Sequence, residues 1–275
     1  MYKILVPTDR SDNAKHALAY ALNLLKGRKV EFILFQSFEV PVYTADMPIQ
    51  IDTLGHEELL RILEKDAEIL RKTYAESRFS FSTIIEVGSL SFNTNALVDE
   101  LSIDLIVMGT KGASGWEGVI IGSNTSDVIQ AASCAVLAVP HEAEIAAPKT
   151  FLFATDNKGL SSNDVLAPMI RLAKIHKAHI HLMNVLDEGK MTTVDEAVAG
   201  LKLDHQLEEI EHTFHFEYGQ DKVQSIENYV NTHDIDLLAV VPRRNNFFDA
   251  IFHRSVTRKL ALHSKVPLLA MHDLG

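Results

Sequence analysis

Seven residues near the start of the chain, Lys3-Ile-Leu-Val-Pro-Thr-Asp9, return in altered form as Thr150-Phe-Leu-Phe-Ala-Thr-Asp156, and the segments after each copy come in the same order. The apolar run Val30 to Phe35 is matched by Ile180 to Val185, and the alternating stretch Phe79 to Val87 by Phe214 to Tyr218. Asp104-Leu-Ile-Val-Met108 is matched by Asp236-Leu-Leu-Ala-Val240, and Ala135 to Val139 by Val266 to Met271. Short apolar runs rich in branched residues read as buried strands. Between them lie segments of helical period. Ser11-Asp12 caps a helix carrying Ala14, Ala17, Leu18, Ala21, Leu22 and Leu25 that stops at Gly27; others run from about Glu57 to Glu76 and from Asn93 to Leu101. Strand and helix alternating in this way imply a parallel sheet with helices on both faces. The duplication implies two of them. The expected fold is therefore α/β, with two tandem open parallel five-stranded sheets of Rossmann-like type. The charged, alanine-rich stretch 141–149 sets a boundary near residue 146, giving units 1–146 and 147–275.

The fourth apolar run ends at Gly109, and Gly112, Gly115, Gly118 and Gly122 come next, before a helical pattern opens at Asp127 and continues to about Ala132. Ser123 and Thr125 are the candidate N-caps of that helix. Strand, glycine-rich loop and helix start, in that order, suit a phosphate chain. Glycines let the backbone come close, and the helix start offers unpaired N–H groups to an anion.

Gly109, two residues, Gly112, nine residues, then Gly122-Ser123 resembles the ATP-binding signature of the universal stress proteins. The resemblance to tandem members of that family covers nearly the whole chain, with the motif in the first half and the architecture alone in the second. It implies that Gly109 and Gly112 wrap the ribose and phosphates, that Gly122 and Ser123 hold the phosphates, and that Asp9 lies against the nucleotide. The implied ATP site, with magnesium, comprises Pro7, Thr8, Asp9, Ser37, Met108, Gly109, Gly112, Gly122, Ser123, Asn124 and Thr125. Ser37 stands where the family often places an aliphatic residue against adenine. The second copy has Val241, Arg244 and Arg254 in place of Gly109, Gly112 and Gly122, so its site is expected to be lost while its fold is kept. The resemblance further implies an intrachain pseudo-dimer whose two last strands meet as antiparallel edges; a homodimer of whole chains is left open.

A net charge of −11 argues against a general nucleic-acid or anionic-membrane binder, which needs a basic face. No run approaches the roughly 20 apolar residues of a membrane span, and the first strand begins at once without a cleavable apolar stretch, so a cytoplasmic location is expected. The single cysteine, Cys134, suits a reducing compartment and reads as an apolar filler before the fifth strand.

Ten of the 13 histidines lie in the second half, among them His176, His179, His181, His212 and His215. None has a recognised zinc-ligand spacing, so they read as scattered side chains, and no metal or catalytic residue is assigned. Asp9 has a plainer reading as a cap for the helix after Ser11. Arg243, Arg244 and Arg254 suit an acidic ligand or nearby carboxylates such as Asp249, and Trp116 and Phe247-Phe248 suit either a ligand or an interface. The leading expectation is an ATP-binding stress-response or regulatory module, with nucleotide in the first half only and no known protein partner. The alternatives are a nucleotide-free interaction scaffold and a weakly ATP-hydrolysing or nucleotidyl-transferring enzyme.

Overall fold

The computed structural model describes residues 1–38, 53–110, 122–155, 159–186, 193–219, 221–242 and 265–273. The first half runs β1 (Tyr2–Pro7), α1 (Asp12–Leu24), β2 (Val30–Phe38), α2 (Thr53–Thr73), β3 (Phe79–Val87), α3 (Leu90–Leu101), β4 (Leu105–Gly109), α4 (Ser123–Ala131) and β5 (Ala135–Val139). The second runs β6 (Thr150–Thr155), a 3-10 turn (Asn163–Leu166) leading into α5 (Ala167–His176), β7 (His179–Leu186), α6 (Val194–Gln206), β8 (His212–Tyr218), α7 (Lys222–Thr232), β9 (Leu237–Val240) and β10 (Leu268–Ala270).

Local chemistry sets the element ends. Ser11 is extended and its hydroxyl accepts from the Ala14 amide at 3.2 Å, a cap worth about 1 kcal/mol. Beyond α1 the chain reverses through Gly27 at φ +79°, a conformation that costs glycine little. Helix α3 begins at Leu90, three residues before the expected Asn93, because Ser89 is extended and already serves as its N-cap residue.

The strand order is β3-β2-β1-β4-β5-β10-β9-β6-β7-β8. Pairing is parallel within each half, so the two expected five-stranded sheets are present but joined into one of ten strands. The join is antiparallel, with Ala138 opposite Leu268, Leu137 opposite Leu269 and Val136 opposite Ala270. Leu137 and Leu269 occupy matching positions in the two repeats, so the register is symmetric about that pair, as a self-complementary twofold contact requires. Both leucines are fully buried, and the join removes two edges that would otherwise lie open. Cys134 packs just before β5, where burial pushes its thiol up to about 12, consistent with a filler.

Helices cover both faces. Ala17 and Tyr20 of α1, Leu63 of α2, Leu172 of α5 and Leu203 of α6 pack on one face. Leu97 of α3, Val128 and Ile129 of α4, and Ile226 and Tyr229 of α7 pack on the other. Strand β4 is buried at every position, which is why it reads as an unbroken apolar run.

The histidines of the second half are less scattered than their sequence positions imply. His179 and His181 of β7, His215 of β8 and His233 after α7 gather around Tyr229. The His181 and His215 rings stack at 4.8 Å, the His179 ring meets His181 edge-on at 5.0 Å, and His233 stacks on Tyr229 at 3.8 Å. The Tyr229 hydroxyl pairs with His181 Nδ1 at 2.8 Å. Among the described residues no group of three His, Cys, Asp or Glu side chains is placed to hold a metal ion. Burial, and then the neighbouring His215, His179 and His233, hold the His181 pKa down at about 4; His215 is lowered for similar reasons, against the opposing pull of Glu217. An unfolded histidine titrates near ~6.5. As pH falls through that value the unfolded chain takes up protons that the folded cluster refuses, so stability is present above about 6.5 and lost below it. The melting temperature is expected to fall between pH 7 and pH 5, and less steeply in His181→Gln. Equal slopes for the two proteins in calorimetric melts would contradict this.

Candidate functional site

In a sheet of this order the chain leaves β1 in one direction and β4 in the other, which opens a crevice at their carboxyl ends. Pro7, Thr8, Asp9, Ala14, Ser37, Leu90, Met108, Gly109, Asn124 and Thr125 line it. Thus most of the residues singled out in the sequence converge on one place. Gly122 and Ser123 adjoin it at the start of α4, and Gly112 lies outside the described residues. Ala14 and Leu90 also belong to the lining; the sequence gives Ala14 only as an apolar helix residue and does not single out Leu90.

The floor is a tight turn. The Arg10 amide donates to Thr8 Oγ1 and the Ser11 amide to Asp9 Oδ1, each at 3.0 Å. Asp9 thus braces the turn ahead of α1, while the cap that its plainer reading assigned to it is made by Ser11; Asp9 also lines the crevice. Arg10 sits in the left-handed region at φ 62°, and its Nε is paired with Asp66 of α2 at 2.8 Å.

At the far wall the Thr110 amide donates to the Val139 carbonyl, and the Gly122 amide returns to the Thr110 carbonyl at 2.6 Å. The N-cap of α4 is Gly122, not Ser123 or Thr125. Its backbone is extended at ψ 159°, and no side chain caps the helix. The first intrahelical bond runs from the Ser126 amide to the Gly122 carbonyl. The amides of Ser123, Asn124 and Thr125 thus have no intrahelical partner, and the helix dipole adds partial positive charge there. Thr125 itself is buried, and its hydroxyl donates to the Gly109 carbonyl at 2.9 Å, tying α4 to the end of β4.

The opposite end of the crevice is polar in a different way. Ser37 Oγ donates to the Gly88 carbonyl at 2.6 Å, and Asn93 Nδ2 donates both to Ser37 Oγ and to the Val87 carbonyl at 3.1 Å. Gly88 has φ +121°, which turns its carbonyl toward Ser37. The sequence gives Asn93 only as a helix residue; nothing in its context signals a partner on β2.

Gly109 has a structural reason to lack a side chain. A Cβ there would lie 3.0 Å from the Asn13 carbonyl oxygen and 3.1 Å from its carbon, both rigid backbone atoms of α1. Val241 comes directly after β9 at the equivalent position, and the second half also starts its first helical turn later. Three residues separate Thr8 from Asp12, whereas seven separate the matching Thr155 from Asn163. Asp156, Trp116, Arg243, Arg244, Phe247, Phe248, Asp249 and Arg254 lie outside the described residues. Gly109→Ala is expected to cost roughly 1–3 kcal/mol as overpacking, with no nucleotide present. Urea unfolding checks this, and an unchanged midpoint would show that α1 yields freely.

The sequence model of the universal stress protein family matches residues 1–140 and again 148–272. The chain is 28% identical over 150 residues to universal stress protein MJ0531 of Methanocaldococcus jannaschii, covering 50% of this chain and 81% of that one. It is 30% identical over 141 residues to universal stress protein Sll1654 of Synechocystis, covering 51% of this chain and 87% of the relative. In three dimensions a universal stress protein from Archaeoglobus fulgidus superposes with a TM-score of 0.72 at 19% identity, over 98% of this chain and 96% of the other. That likeness shows the fold; the double match along the sequence shows the family. With one family match in each half, the chain belongs to the universal stress protein family.

Proposed function

We propose that the chain is a nucleotide-dependent stress-response module that binds ATP in its N-terminal half alone. Residues 1–146 and 147–275 are its two units, and its setting is the cytoplasm. The observation that carries this reading is the start of α4 at the β1/β4 crevice, which no side chain caps among the described residues and where Gly122 precedes three amides with no intrahelical partner, at the place that a phosphate chain would occupy. The adenosine end then falls toward Ser37, Leu90 and Met108. Asp9 is the carboxylate of the lining that would face a ribose hydroxyl or magnesium on the phosphates. Magnesium supplies charge neutralisation there, and the protein side chains supply position. Val241 and the arginines of the second copy support loss of the ligand in that half. The module binds nucleotide as a signal, with at most weak hydrolysis by a bound water.

The competing reading is a scaffold that holds no nucleotide, and the packing of Gly109 on Asn13 favours it to one extent: that glycine is already explained. Gly122 separates the two readings, because only the nucleotide reading places a ligand against its backbone. Magnesium-ATP at about a hundred times its dissociation constant should add roughly 2.7 kcal/mol to the folded state. Gly122→Arg copies the residue of the second repeat and should abolish that gain while leaving the circular dichroism unchanged. Ser123→Ala should weaken binding by roughly 0.5–1.5 kcal/mol, or up to about 3 if its partner is the charged phosphate. A folded Gly122→Arg protein that binds ATP as the parent does, measured by calorimetry, would make the loop structural and favour the scaffold.

A further inference from the structure

The strand order leaves two edges, β3 and β8, and they are not alike. Along a parallel strand alternate residues turn both N–H and C=O to the same side. In β3 the Arg78 carbonyl accepts from the Val30 amide and the Gly88 amide donates to the Phe38 carbonyl, so the odd-numbered residues, Phe81 among them, face outward. Arg71 blocks that edge by donating to the Phe81 carbonyl from Nε and Nη2. In β8 the Glu211 carbonyl and the Gly219 amide bond to β7, so Phe214, Phe216 and Tyr218 turn their backbone groups outward. Among the described residues no hydrogen bond reaches those groups. The same three side chains are 39%, 53% and 64% exposed. An edge that is open and aromatic is a template for another strand.

We propose that the edge of β8 is a docking surface for a second copy of this chain, joined antiparallel about Phe216 so that the sheet continues into that of the other copy. The seam between the halves is built in the same way, as a symmetric antiparallel join about one matched pair. Charge selects the register. Phe214 is in register with Leu182, which places Phe214, Phe216 and Tyr218 on the α6 face, while His215 and Glu217 lie on the face of Tyr229. A twofold join centred on Phe214 would set Glu217 against Glu211, two carboxylates. Centred on His215, it would set imidazole against imidazole. Centred on Phe216, it sets Phe216 on Phe216 and Phe214 on Tyr218 through their outward backbone groups, and on the other face it brings Glu217 opposite His215. Cross-strand aromatic pairs and opposite charges stabilise such a contact, and like charges oppose it. The contact runs only from Phe214 to Tyr218, so the dimer is expected to form at micromolar concentrations.

The test is sedimentation velocity of the full chain across the micromolar range at physiological ionic strength, which screens the net charge of −11. The parent should show a monomer–dimer equilibrium. Phe216→Lys, which brings like charges together at the twofold axis, should weaken it by about tenfold or more. Glu217→Lys reads the register. It should also weaken the dimer by about tenfold, because lysine replaces the carboxylate opposite His215. In a register centred on Phe214 it would tighten the dimer by meeting Glu211, and in one centred on His215 it would change little. Ser80→Lys, on the blocked edge, should leave the equilibrium as in the parent. Circular dichroism follows the folding of each variant. A parent that stays monomeric, a dimer indifferent to Phe216→Lys or lost on Ser80→Lys, or a Glu217→Lys dimer as tight as the parent or tighter, would overturn the proposal.

Discussion

The crevice depends on how closely α1 approaches the end of β4. The carbonyl of Asn13 sits where a side chain on residue 109 would have to go. That approach brings the start of α1, with its turn through Thr8, Asp9 and Ser11, up against the carboxyl end of the sheet. The Gly109 carbonyl is turned to Thr125, which anchors α4 from the other side. Two helix starts are thereby fixed on either side of one strand end. In the second half the same register position carries Val241, and counted from the matched Thr8 and Thr155 the chain runs four residues further before its first helical turn. A change at one backbone position and a displaced helix start go together, so one fold can keep its layers and lose its site.

Self-complementarity explains how the two copies are held. A register symmetric about Leu137 and Leu269 lets two similar five-stranded sheets share one antiparallel seam, and among the described residues each apolar layer includes strand residues from both sides of it. The outer edges differ. At β3 the 21-residue helix α2 lies over the strand, and Arg71 donates to the Phe81 carbonyl from Nε and Nη2 while pairing with Glu64. At β8 the covering helix α6 has 13 residues, and Phe216 and Tyr218 remain exposed. A capped edge resists pairing with other chains. The duplication has kept the seam more faithfully than the rims.

Much of the fold was legible because buried parallel strands are contiguous apolar runs. Ala135 to Val139 coincides with β5, while β3 was legible instead by the alternation from Phe79 to Val87. Helix starts were legible where a side chain caps them, as at Ser11, and misread where backbone alone does, as at Gly122. The site residues came from motif spacing and family resemblance, and the structure brings most of them to one crevice. What could not be read was tertiary reason. The need for glycine at 109 depends on Asn13, far back in the chain, and the hydrogen bonding of Ser37 depends on Asn93, 56 residues away. The histidine cluster likewise forms only when β7, β8 and α7 are packed together.

The central claim is that one half of a duplicated fold holds the nucleotide. Hydrogen–deuterium exchange on the full chain, with and without magnesium-ATP, tests it directly, because protection is read peptide by peptide. The account predicts slowed exchange at Thr8 to Ser11, at Thr110 and at Gly122 to Ser126, with β6, β9 and the segments beyond them unchanged. Equal protection in both halves, or protection confined to the second, would contradict it.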